Sequence, residues 1–210
     1  FELTPVIAHI ECVAGVVWLL GAATVLVLHL VRYYRVEHYI KKHRMPAEKR
    51  LQLVAAGTKE RLKIRGNVEV YCCYGISSPM VLGLFHKWIV LPVRDFSPEG
   101  LQIVLTHEFV HVRQHILTLK CVGRVLEDLF WYNPLIYIFN RRLDFWSEMA
   151  CDMECCRDSE NVFSVGQYFR AALELLTEEI SPLEFPFSMF GAQNHLQERI
   201  RRMKQYRKQK

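Results

Sequence analysis

Three features of the chain predict an α+β fold that is mainly α, with a small antiparallel sheet and a transmembrane helix ahead of it. Near the N-terminus an apolar run of 20 residues carries no formal charge. A β-rich interval spans residues 68 to 92, and helix-period apolar spacing with cap signals fills most of the rest. With 210 residues and 51% hydrophobic content, the chain can bury one sizeable core.

The apolar run is "CVAGVVWLLGAATVLVLHLV", Cys12 to Val31, the length of a helix that crosses a bilayer. Arg32, Arg35, Lys41, Lys42, Arg44, Lys49 and Arg50 come directly after it. Basic residues crowded on one side of a span mark the cytoplasmic side, so the chain beyond Val31 is expected in the cytoplasm. A buried helix of a soluble core is the competing reading. A cleaved signal peptide fits worse, because its basic residues precede the apolar run. A first residue of Phe rather than Met leads to the expectation of a piece of a longer protein.

Residues 36 to 65 read as amphipathic and helical, with Leu51, Val54, Ala55 and Leu62 at helical spacing. Gly66-Asn67 breaks the pattern. "VEVYCCY" (68–74) and "MVLGLFHKWIVLP" (80–92) then read as two strands of an antiparallel hairpin, with Gly83 a bulge and Pro92 a stop. A helix begins at Pro98, with Ser97 as N-cap and Glu99 in the first turn. Asn133-Pro134 repeats the cap for the helix that carries Glu148 and Asp152, and a further helix is expected over 164–179. The domain boundaries expected are a transmembrane helix at 1–31, a basic juxtamembrane helical segment at 32–65, a catalytic core at 66–163 and a C-terminal helical segment at 164–210.

"QERIRRMKQYRKQK" places seven cations against Glu198 in that last segment. It suits the cytoplasmic run-in to a further span, held near anionic lipid. Direct nucleic-acid binding is not expected, since no aromatic interleaving or reading motif accompanies the charge. The seven cysteines contain no metal-type C-x-x-C pair, and adjacent Cys72-Cys73 and Cys155-Cys156 suit reduced thiols better than bridges.

The chemistry is carried by "LTHEFVHVRQHI", residues 105–116. On a helix, His107 and His111 share one face about 6 Å apart and can converge on a single ion. Glu108 then stands beside the metal as general base toward a water that the metal activates. A catalytic zinc site needs a third protein ligand and an open position. Glu148 is the leading candidate, 37 residues downstream of His111. Asp152, four residues on, would orient a ligand histidine from behind. Direct metal contact by Asp152 is the alternative, and both acids could also be solvated helix charges. His115 continues the histidine face but reads as a surface or structural residue. His195 is a weak candidate for oxyanion assistance, and Cys151 reads as a packed neutral thiol. "FWYNPLIYIF" reads as core or a membrane-facing patch. The strand run at 80–92 reads as a sheet edge to which an extended peptide could add, or as a plain structural hairpin.

Three stretches in this order, "SSPMVLGLFHKWIVLP", "LTHEFVHVRQHI" and "WYNPLIYIFNRRLDFWSEMACD", resemble the membrane-embedded sensor-transducer metallopeptidases of the penicillinase and methicillin-resistance type. The resemblance covers most of the chain from about residue 30. It implies a zincin-like (gluzincin) domain between transmembrane helices, one catalytic Zn2+, ligands His107, His111 and Glu148, and Glu108 as general base. It also implies a multi-pass protein of the cell membrane whose cytoplasmic domain cleaves itself or a regulatory, repressor-like protein. The partners expected are therefore membrane lipid and a protein substrate. Two departures stand out. Ile116 occupies a position where members often have Asp, and no S-x-x-K acylation motif occurs, so the likeness is to the peptidase half. The alternatives are a transducer that keeps the metal as a structural clamp and binds a regulator, and a membrane quality-control or prenyl-protein type peptidase.

Overall fold

The computed structural model describes residues 4–158 together with 166–168, 170, 198–199 and 201–202. The chain order is α1 (Thr4–His43), β1 (Arg44–Pro46), α2 (Lys49–Arg61), β2 (Val68–Cys73), β3 (Met80–Leu82), β4 (Lys87–Pro92), α3 (Pro98–Arg113), α4 (Ile116–Leu129) and α5 (Pro134–Asp158). The fold is mainly helical with one small sheet.

At 40 residues α1 is about 60 Å long. Its apolar half is exposed all round, and by length and composition it can cross a membrane. The helix continues through the basic residues after Val31, and its last turns become part of the packed core, where Val36 and Ile40 are buried. It ends ahead of Pro46, which disfavours helical backbone at the residue before it and cannot donate an N–H. The interval at 36–65 is thus two helices separated by β1. On α2, Leu51 and Ala55 are buried, Leu62 just beyond it is buried too, and Val54 packs against them. Lys63 and Gly66 then turn the chain with positive φ.

The sheet is mixed rather than antiparallel, in the order β1-β2-β4-β3. β2 runs parallel to β4, while β1–β2 and β3–β4 are antiparallel pairs. The expectation of a plain hairpin fails at Gly83. Its φ is +82°, and a Cβ there would overlap the carbonyl of His86. The run from 80 to 92 therefore folds on itself as a tight turn instead of continuing through a bulge. Its more apolar half takes the sheet interior, where Ile89, Val90 and Leu91 are fully buried. The shorter half becomes an edge.

The period-2 alternation of β4 then divides the core in two. Ile89 and Leu91 face Leu51, Ala55, Leu105, Phe109 and their neighbours on α2 and α3. Val90 faces the opposite way, against Val36, Ile40, Cys73, Ile76 and Leu82. The foot of α1 and the helix carrying the two histidines are held on opposite sides of one strand. Ties between helices complete the frame: Arg61 donates to Thr106 (2.8 Å), and Arg113 pairs with Glu154 (2.5 Å).

Candidate metal centre

The cap chemistry of α3 is as the sequence expects. The Ser97 hydroxyl accepts from the Gly100 N–H at 3.0 Å, Pro98 fills the first turn and Glu99 lies at the positive end of the dipole. This starts the helix about three turns before His107 and presents His107 and His111 on one face. Facing them, α5 begins at Pro134, just after Asn133, whose side chain accepts from the Leu135 N–H at 3.0 Å, and it carries Glu148 and Asp152 on successive turns.

Among the described residues, ligand atoms of His107, His111 and Glu148 all lie within 4.8 Å of one another. The two Nε2 atoms are 2.9 Å apart, and the Glu148 carboxylate lies 3.5 Å from His107 and 3.7 Å from His111. A tetrahedral ion with bonds of about 2.0–2.1 Å needs donors spaced by about 3.3 Å. The three separations bracket that value, so two imidazoles and one carboxylate fit a zinc-type ion without rearrangement of the backbone.

The remaining ring nitrogens are occupied from behind. Tyr168 donates its hydroxyl proton to Asp152 (2.5 Å), and the same hydroxyl oxygen lies 2.9 Å from His107 Nδ1. A hydroxyl that has given its proton to a carboxylate accepts, so Nδ1 of His107 carries a hydrogen and Nε2 is the nitrogen that faces His111 and Glu148. Asp152 is fully buried; Arg199 grips both its oxygens at 2.6 Å, and one of them lies 3.5 Å from His107 Nδ1. Asp152 thus lies on the Nδ1 side of His107, away from Glu148. On the other side, His111 Nδ1 lies 3.4 Å from the Cys151 sulfur, which reaches Gln114 Oε1 at 3.6 Å. Burial pushes the Cys151 thiol far up, consistent with a packed neutral thiol.

Without an ion the two histidines separate electrostatically. Burial acts to lower His107, but its hydrogen bonds to Cys155 and Glu148 and the charge of Asp152 hold it well above the ordinary range. Burial drives His111 down to about 3 against the pull of Glu148, and the His107 cation adds to the fall. One shared proton explains both: His107 Nε2–H donates to a neutral His111. Burial alone would raise Glu148, but His111, Lys120 and His107 outweigh it and keep its carboxylate well below the usual range. Lys120 donates to it at 3.1 Å. Glu108, 7% exposed, is raised to about 7, chiefly by burial and partly by Glu148, with the His107 charge opposing.

The structure brings His107, His111, Glu148 and Asp152 together and buries Glu108 beside them. His115 is elsewhere: it has φ +54° at the start of α4 and lies 3.4 Å from the Lys87 ammonium. The β4 half of the 80–92 run lies inside the sheet, so only Met80–Leu82 remains as an edge there. His195 lies outside the described residues, as does most of the helix expected over 164–179. Sequence reasoning missed Tyr168, Arg199 and Lys120. The first two stand 16 and 47 residues from Asp152, with no spacing signal connecting them. Lys120 was discoverable only by knowing that α4 folds back against α5.

Comparison with known proteins gives the family. The family described as BlaR1 peptidase M56 matches residues 5–203. The chain is 25% identical to the regulatory protein BlaR1 of Bacillus licheniformis, over 65% of this chain and 23% of that protein. It is 26% identical to the methicillin resistance mecR1 protein of Staphylococcus aureus (strain Mu50 / ATCC 700699), over 65% and 24%. A mecR1 protein of Staphylococcus epidermidis matches to the same extent. The chain spans about a quarter of the length of these curated relatives. With the match covering nearly its whole length, this chain belongs to the BlaR1 peptidase M56 family.

Proposed function

We propose that this chain is the peptidase part of a membrane-anchored, zinc-dependent endopeptidase that works at the cytoplasmic face, transducing a signal by cutting itself or a regulatory protein. The observation that carries the reading is the convergence of two imidazoles and one carboxylate from α3 and α5, with a buried glutamate next to the first histidine. His107, His111 and Glu148 would hold the ion through Nε2, Nε2 and a carboxylate oxygen. When bound, it supplies Lewis-acid polarisation of a peptide carbonyl and acidifies a water at the open position. Glu108 takes the proton of the attacking water and passes it to the departing amine; a carboxyl held near neutrality can do both. Tyr168 and Asp152 keep His107 in the tautomer that leaves Nε2 free. The short edge strand Met80–Leu82 offers backbone groups to an extended peptide. Basic residues crowded after the apolar half of α1 support the cytoplasmic placement.

The test is zinc stoichiometry and cleavage in the full-length protein in lipid. Wild type is expected to bind one zinc per chain and cut. Glu108→Ala should keep the zinc and lose about 10²–10⁴ in rate, the range for a general base. A folded wild-type chain that takes up no zinc refutes the proposal. Signalling that survives Glu108→Ala would instead identify a structural metal clamp.

A further inference from the structure

Beyond α1, the helical hairpin α4–α5 is built inside out. On α4, Leu119, Val122 and Val125 form a stripe at helical spacing, 42–53% exposed. On the first turns of α5, Leu135, Ile138 and Phe139 are 50–67% exposed. The polar groups point inward. Glu127 accepts from Arg124 (2.7 Å) and Asn140 (2.7 Å), Asn140 also donates to the Gly123 carbonyl, and Asp128 pairs with His29 of α1 at 2.6 Å. Apolar outside with paired ions inside is the arrangement that hydrocarbon selects.

The hairpin is also continuous with α1. The Trp18 indole N–H donates to the Leu129 carbonyl (2.9 Å), the Trp131 indole donates to the Trp18 carbonyl (3.3 Å), and the Trp131 ring lies on Gly21, where a Cβ would overlap it. Gly21 and Trp18 stand 11 and 14 residues before Arg32, about 17–21 Å along the helix. Half the hydrocarbon thickness is about 15 Å. With Arg32 taken as the edge of the hydrocarbon, the turn between α4 and α5 falls near the bilayer midplane. Several of its backbone groups are satisfied internally, as lipid favours: the Phe130 N–H donates to Leu126, Asn133 to Phe130 and Leu135 to the Asn133 side chain, while Tyr137 caps the Trp131 carbonyl. Arg141 and Arg142, both exposed, come after the apolar turns of α5 at the depth where cations snorkel to headgroups.

We propose that the α4–α5 hairpin is a re-entrant wedge, its outer face in the acyl chains beside α1 as far as about the midplane, so that the helix bearing Glu148 emerges from the bilayer. This rests on reading α1 as a membrane span. The partner is phospholipid hydrocarbon; a second copy of the chain is the competing occupant.

The experiment places a benzophenone amino acid singly at Val125, Leu135, Leu20 or Leu53 in the full-length protein, in phosphatidylcholine/phosphatidylglycerol vesicles, and measures adducts by mass after irradiation. All four side chains are exposed, so replacement disturbs little packing. Leu20 reports the α1 span, and Leu53 on α2 reports water. Lipid adducts at Val125 and Leu135 within a few-fold of Leu20, and at least about ten-fold above Leu53, are expected of a wedge in hydrocarbon. Yields at the Leu53 level while Leu20 labels overturn the wedge and leave the span standing. Chain–chain adducts at Val125 and Leu135 overturn it in favour of a dimer interface. Failure of Leu20 to label removes the span and the wedge together.

Discussion

The Asp152–Arg199 pair gives the sharpest quantitative expectation. Asp152 is fully buried: Arg199 occupies both oxygens at 2.6 Å and Tyr168 donates at 2.5 Å. Arg199 is itself 6% exposed. Removing one member of a buried pair leaves the other charge without compensation and costs about 3–5 kcal/mol. Asp152→Leu and Arg199→Met should each destabilise the metal-free protein by that amount in equilibrium denaturant unfolding in detergent micelles. The double variant Asp152→Leu/Arg199→Met removes both charges together, and its main loss is the acceptor of the Tyr168 hydroxyl, about 1–3 kcal/mol. The double variant is therefore no worse than either single one, and the coupling energy is several kcal/mol. Zinc competition against a chromophoric chelator adds a second readout. Asp152→Asn should weaken zinc about 10- to 100-fold, as expected when the group behind a ligand histidine is lost. If the double variant costs the sum of the two single ones, or Asp152→Asn leaves zinc affinity unchanged, the pair is not what holds His107.

Zinc must displace the proton that His107 holds well above its ordinary range, so affinity should rise about tenfold per pH unit and flatten once the pH passes the His107 value. Calorimetry in buffers of different ionisation enthalpy should show about one proton released per ion; pH-independent binding would remove the shared-proton picture. Glu108 is raised from 4.5 to about 7, so the metal-free fold binds that proton more tightly than the unfolded chain does. Its contribution is complete below pH 4.5 and lost as pH rises through 7, a fall of about 3 kcal/mol that Glu108→Gln should abolish in unfolding curves. Ser97→Ala removes the cap of α3 and should cost about 1 kcal/mol, read as a lower denaturation midpoint with zinc stoichiometry unchanged.

What could be read from the sequence was what local rules carry. The apolar run of α1, the Ser97-Pro98 and Asn133-Pro134 starts, and the spacing of His107, Glu108 and His111 depend only on helix geometry and side-chain type. Glu148 and Asp152 were legible because i,i+4 residues share a face and a two-histidine site needs a carboxylate. The sheet was misread because strand direction is not a local property. One positive-φ glycine at 83 reverses the chain, moves Met80–Leu82 to the edge and makes β4 parallel to β2. Proximity without periodicity was equally invisible: Tyr168 and Arg199 reach Asp152 across long separations. The candidate metal-holding side chains were thus written in the sequence of α3 and α5, whereas the tertiary structure decided which groups stand behind them, where their protons sit and which faces of α4 and α5 are left exposed. Helix period and capping act over a few residues, but burial, charge pairing and strand order exist only once distant segments meet.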